Sequence, residues 1–168
     1  MYTQLISTTT VGAGGASSIT FSSIPATYTD LVIILSARAT STTANITLNL
    51  NGSATSFTGR YLTGNGSGAS STTSTTLIGT SSISTDTANT FGSLRLHLPN
   101  YTASAYKGFY VDNVSENNGG TAYTQTFAGL WSDTSAITSV TLNLANFAQY
   151  TVASLYGLTK GSGGATVS

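Results

Sequence analysis

Catalysis needs titratable or nucleophilic groups gathered in one place, and this sequence holds few of them. His97 is the single histidine. It sits between Leu96 and Leu98, in phase with Arg95 on the outward side of an alternating stretch, which points to a surface or interface histidine rather than a general base. The carboxylates are Asp30, Asp86, Asp112, Glu116 and Asp133. A pair for glycoside cleavage would have to be drawn from these five. Each is expected beside a turn or strand end, where carboxylates ordinarily accept hydrogen bonds from backbone amides. Serines are abundant, but none lies in the GxSxG elbow of a serine hydrolase. The expectation is a protein without enzymatic activity.

Ligand-binding patterns are equally sparse. The cluster Asp112, Asn113, Glu116, Asn117 and Asn118 offers oxygen ligands of the kind calcium prefers, yet its spacing is not that of an EF-hand loop. A hairpin rich in Asn and Gly is reason enough for those residues. The glycine-rich GAGGAS (12–17) and GNGSG (64–68) lack the lysine and the following helix of a phosphate-binding loop, so they read as linkers. Cysteine is absent, which removes disulfides and thiolate metal sites. No cofactor and no metal are expected.

The elements that would position any site come from an unusual composition. Charged residues make up 6 % of the 168, five basic against five acidic, for a formal net charge of zero. A surface without a field of like charge associates readily. It also offers no basic patch for phosphates, so nucleic acid is not an expected partner. Roughly a third of the residues are Ser or Thr. Nine Tyr, six Phe and one Trp argue against disorder and for a folded β protein. No stretch approaches the ~20 apolar residues of a membrane-spanning helix, so no membrane partner is expected. MYTQLISTTT at the amino terminus has neither a basic n-region nor an apolar core, so the chain is expected to remain in the cytoplasm where it is made until assembly.

The organising stretch is TDLVIILSAR (29–38). Five consecutive apolar residues behind Pro25, enclosed by Ser/Thr-rich sequence, read as a central strand with both faces covered. Leu31, Ile33 and Leu35 point to one side, and Val32 and Ile34 to the other. A sandwich core accounts for the first face; the second needs a loop or a neighbouring subunit.

Period-two patterns recur elsewhere, and no window sustains helical spacing. Residues 2–11 read as a polar first strand or arm, followed by Ile19 and Phe21 on one face of a strand. ANITLNLNG (44–52) alternates Ile46, Leu48 and Leu50 with polar residues and ends in an Asn51-Gly52 turn. Residues 64–75 read as a long surface loop. FGSLRLHLP (91–99) puts Leu94, Leu96 and Leu98 inward. Two further strands flank Asn117-Asn118-Gly119-Gly120, a strong hairpin signal, and two more complete the chain.

The expected fold is all-β: an antiparallel β-sandwich of about eight to ten strands without substantial helix. An arm or first strand with its linker is expected over 1–17, one sandwich domain over 18–160, and a C-terminal tail over 161–168. Tyr101, Tyr106, Tyr110, Tyr123, Tyr150 and Tyr156 read as exposed aromatics suited to protein or sugar contact. The interface candidates are Tyr2, Leu5 and Ile6 on a docking arm, Val32 and Ile34 on the second face of the central strand, and Tyr110.

Three stretches carry a resemblance: SITFSSIPATYTDLVIILSARAT, LPNYTAS (98–104) and FAGLWSDTSAITSVTLNLANFAQYTVASLYGL. Their pattern is Ile24-Pro25, Tyr28 and Asp30-Leu31 leading into an apolar strand, then Leu130-Trp131-Ser132, Ile137-Thr138-Ser139 and Ala153-Ser154-Leu155-Tyr156-Gly157. It resembles a group of small tailed-phage virion structural proteins over nearly the whole chain, and the 64–75 segment departs from it. The resemblance implies a jelly-roll sandwich serving as a capsid decoration (cement) protein on the virion surface. It would be a homotrimer bound to the major capsid protein. The alternative is a tail-fibre or receptor-binding tip contacting host surface glycan, and a third possibility is a hydrolase acting on envelope polysaccharide.

Overall fold

The computed structural model describes residues 2–120 and 122–160. The tail expected at 161–168 lies outside the described residues. Twelve strands follow one another: β1 (Tyr2–Thr10), β2 (Ala16–Phe21), β3 (Asp30–Ala37), β4 (Asn45–Leu50), β5 (Phe57–Gly64) and β6 (Ala69–Thr73). They continue as β7 (Leu77–Thr80), β8 (Gly92–Leu98), β9 (Lys107–Glu116), β10 (Ala122–Trp131), β11 (Val140–Phe147) and β12 (Val152–Thr159). Among the described residues there is no helix.

All strand pairs are antiparallel, in an eight-stranded sheet of order β1-β12-β3-β8-β9-β10-β5-β6 and a four-stranded sheet of order β2-β11-β4-β7. The two face each other as an antiparallel β-sandwich. Strand alternation builds the core: Leu31, Ile33, Leu35, Leu94, Leu96 and Val111 from the large sheet meet Ile19, Ile46, Leu48, Val140 and Leu142 from the small one. At the β5 side the core turns aromatic. Phe57 stands edge-on to Phe109 with centroids 6.1 Å apart, and Phe109 lies 5.7 Å from Phe127. Gly59 and Gly129, directly opposite each other, leave room for these rings: a β-carbon on Gly129 would fall 2.4 Å from both Phe109 Cζ and Phe127 Cε1.

The alternation expected of β4 and β8 is present, and so are both turns. Asn51 (φ 51°) and Gly52 (φ 77°) take the left-handed conformation of a tight hairpin turn. Three expectations are corrected. Among the described residues there are twelve strands, against about eight to ten expected. The 64–75 segment is a turn and a strand, β6, in place of one long loop: Asn65 Oδ1 accepts from the amides of Ser67 and Gly68, turning the chain so that β6 pairs along β5. And among the described residues of the single chain, the outer face of β3 is covered at Val32 but not at Ile34. Leu31, Ile33 and Leu35 are fully buried, but Ile34 is 41 % exposed. Val32 is shielded on that outer face, where its register neighbours are Tyr156 and His97.

Candidate functional site

The small sheet covers the inner face of the large one and leaves its outer face open. Register fixes what lies there. One row across the sheet runs Leu5, Tyr156, Val32, His97, Tyr110, Ala128, Arg60. The next runs Thr8, Ser154, Ile34, Arg95, Asp112, Thr126, Leu62. Leu5, Ile34, Leu62, Tyr110 and Val114 are exposed on this face. The exposed charges along these rows and their continuation on β9 are Arg60, Arg95, Asp112 and Glu116. Between β1, β12, β3 and β8 the surface dips into a groove of about 270 Å³, lined by Thr3, Val32, Ile34, Arg95, Tyr156 and Leu158.

Four of the sequence-derived interface residues, Leu5, Val32, Ile34 and Tyr110, therefore share one face. Ile6 does not join them: the register shift between Leu5 and Ser7 turns it against the core. Tyr2 pairs through its backbone with Thr159, and its side chain lies outside the described residues. Residues 2–10 form the edge strand of the large sheet.

His97 is held within this face. Its Nε2 lies 3.4 Å from Asp30 Oδ2, and its ring meets Tyr110 edge-on at 5.2 Å. Asp30 Oδ1 accepts from the amide of Asn100. Nδ1 is buried with no hydrogen-bond partner among the described residues, so no nucleophile is engaged there. The pair ties β3 to β8 and to the turn that follows.

The other carboxylates are dispersed in backbone caps. Asp86 Oδ2 accepts from Ile83 N, Glu116 Oε1 from Asn118 N, and Asp133 Oδ1 from Ser135 N. Asp112 departs from its expected place beside a turn: it stands in the middle of β9, with the hydroxyl of Thr126 at 3.5 Å. The oxygen cluster proposed for calcium does not converge. Asp112 and Glu116 are four residues apart on one strand, roughly 13 Å at 3.3–3.4 Å per residue. Asn113 is buried on the opposite face. No group of three or more His, Asp or Glu is close enough to hold a metal among the described residues.

Sequence reasoning missed a cavity of about 440 Å³ at one end of the sandwich, its wall mixing polar side chains with Ala44 and Ile83. It opens where the end of β7, the following loop through Asp86 and the inner side of the β9–β10 hairpin come together. Thr80, Ser81, Asp86, Ser115, Tyr123 and Gln125 contribute to its wall. Beneath it lies a buried amide network: Asn113 Nδ2 donates to Thr80 O (3.0 Å) and to Gln125 Oε1 (2.7 Å), which also accepts from Thr80 Oγ1 (2.9 Å). The signal was available, because Asn113 and Gln125 occupy inward positions in phase with Val111 and Phe127. The tyrosines also divide. Tyr106, Tyr123 and Tyr150 are exposed, whereas Tyr101, read as exposed, is completely buried.

No protein-family model, curated protein or solved structure matches the chain.

Proposed function

We propose that this chain is a virion structural protein without enzymatic activity, a capsid decoration protein bound to the outside of a tailed-phage head. The observation that carries the reading is the outer face of the eight-stranded sheet, balanced in charge between Arg60, Arg95 and Asp112, Glu116, and bearing exposed Leu5, Ile34, Leu62, Tyr110 and Val114. An antiparallel sheet ordinarily presents a polar face to water, so apolar side chains aligned in adjacent rows suit burial against protein. The sequence pattern shared with small phage virion proteins supplies the partner, the major capsid protein, and a homotrimer as the working assembly.

The mechanism is adhesion. A standard interface removes ~800 Å² from each partner. Apolar area contributes roughly 25 cal/mol per Å² before the costs of association. Repeated over many shell subunits, such contacts resist expansion of the head. The experiment that tests the reading is the copy number of the protein in purified particles, measured against the major capsid protein by quantitative mass spectrometry. A ratio near that of the shell protein is expected, and a few copies per particle or none would overturn it.

The second reading, a tail-fibre tip contacting host glycan, is favoured by one observation: the cavity beside Tyr123, whose wall mixes hydroxyl and amide side chains with apolar ones. It predicts low copy number.

A further inference from the structure

We propose that the cavity at the β7, β9 and β10 end of the sandwich binds a neutral saccharide. This does not rest on the capsid role. The argument begins with Gln125, which is 6 % exposed. The orientation of its amide is fixed. Asn113 Nδ2 must be a donor because it faces the carbonyl of Thr80, so the Gln125 atom it meets is the oxygen. Thr80 Oγ1 donates to that same oxygen. Both contacts engage Oε1 and use neither proton of Nε2, on a residue that contributes to the cavity wall.

The rest of the wall has matching chemistry. Ser81 and Ser115 are buried in the wall, at 4 % and 6 % exposure; the Ser81 hydroxyl donates to Ser82 O (2.9 Å) and is left to the cavity as an acceptor. Asp86 commits Oδ2 to the amide of Ile83, which leaves Oδ1 as an acceptor. Tyr123 stands at the rim, 37 % exposed, in phase with Gln125 but beyond the cover of the small sheet. Such a wall offers fixed donors and acceptors for vicinal hydroxyls, and an aromatic side chain for the apolar face of a pyranose ring. Among the described residues no lysine, arginine or histidine contributes to it, and its one acidic side chain is Asp86. Phosphates and acidic sugars are therefore disfavoured, and a neutral sugar is the class that fits.

The test is titration of the 15N-labelled full chain with glucose, galactose, mannose and N-acetylglucosamine at millimolar concentration, with glycerol and sialic acid alongside. At least one neutral sugar should shift the Gln125 side-chain NH2 and the amides of Ser81, Ser115 and Tyr123. Tyr123→Ala should weaken that binding about tenfold. Gln125→Glu keeps the acceptor for Asn113 and Thr80 but removes the donor, and should abolish it in a folded protein. The proposal is overturned if none of the neutral sugars shifts these signals, if glycerol or sialic acid shifts them equally, or if Tyr123→Ala leaves the affinity unchanged. Copy number on the particle is a separate measurement, so failure here leaves the capsid reading standing, and the reverse.

Discussion

Tyr28 packs against the backbone of Gly157 so closely that a β-carbon at 157 would fall 2.3 Å from Tyr28 Cγ. The phenol of Tyr101 closes the same corner, donating to Pro25 O and accepting from Tyr28 N at 3.4 Å. Pro25, Tyr28, Tyr101 and Gly157 come from three separate stretches of the chain, 18–40, 98–104 and 127–158. Their corner is a folding device, the lock that fixes the segment before β3 onto β12. Replacing Gly157 by Ala should cost about 2 kcal/mol through overpacking. Gly108→Ala, with nothing within 4 Å of its added carbon, should stay within about 0.5 kcal/mol. Urea unfolding of both variants checks this. Equal midpoints would show that the Tyr28 ring moves aside freely.

Tyr61 sets the alkaline limit. Its hydroxyl is buried without a hydrogen-bond partner among the described residues, and burial pushes its pKa well above the ordinary 10.0. Burial raises Tyr101 as well, partly offset by the bond from Tyr28 N. Folded phenols that keep protons the unfolded chain releases stabilise the fold fully below pH 10.0, and that contribution is lost as pH rises beyond it. Tyr61→Phe should reduce this alkaline loss. It should also stabilise the protein at neutral pH by about 1 kcal/mol, because an unsatisfied buried hydroxyl is gone. Unfolding midpoints across alkaline pH provide the measurement, and an unchanged pH profile would contradict the assignment.

Asp133 acts at the other end of the scale. Hydrogen bonds from the amide and the side chain of Ser135 hold its carboxyl below the usual 3.8, with Lys107 adding a smaller pull. The stability it contributes is present above pH 3.8 and lost as pH falls through the lowered folded value. Asn at this position can still cap Ser135 but cannot titrate. Asp133→Asn should therefore leave neutral stability nearly unchanged and flatten the acid limb of the unfolding curve. A parallel acid limb in the variant would place the dependence elsewhere.

Apolar alternation made the frame of the fold legible in the sequence. Ile46, Leu48 and Leu50, or Leu94, Leu96 and Leu98, can be assigned to a face by period alone. It failed where no apolar residue marks the strand. β6 is ASSTT, exposed at every position, and it exists because β5 offers an open edge to pair with. For Ile34 the apolar run marked a second face without saying what covers it, because such a run reveals burial of one face and is silent on the other. Lys107 breaks the rule in the opposite sense, pointing inward in phase with Phe109. Its ammonium is satisfied by the carbonyls of Asp133 and Ser135 and lies 5.5 Å from the centre of the Trp131 ring. That cage is assembled from a loop 26 or more residues away, so local pattern could not show it. The cavity was hidden for the same reason, although inward Asn113 and Gln125 marked its floor.

The outer sheet face makes the last prediction. Ile34 and Val114 occupy separate rows of it, 41 % and 52 % exposed, and neither contributes to the core. Ile34→Glu and Val114→Glu should each change folding stability by no more than about 0.5 kcal/mol. If this face docks on shell subunits, the same substitutions place an unpaired carboxylate in a dry interface, which costs several kcal/mol. That cost corresponds to at least a hundredfold loss of affinity, since ~1.4 kcal/mol is a factor of ten. Cosedimentation of each variant with undecorated heads gives the readout. Tyr150→Glu is the control, exposed on the turn between β11 and β12 and absent from the rows of this face. Loss of binding in both sheet variants with retention in the control is the expected result. Full binding by Ile34→Glu and Val114→Glu would move the docking surface off the sheet, leaving the edge strands β1 and β6 as the next place to look.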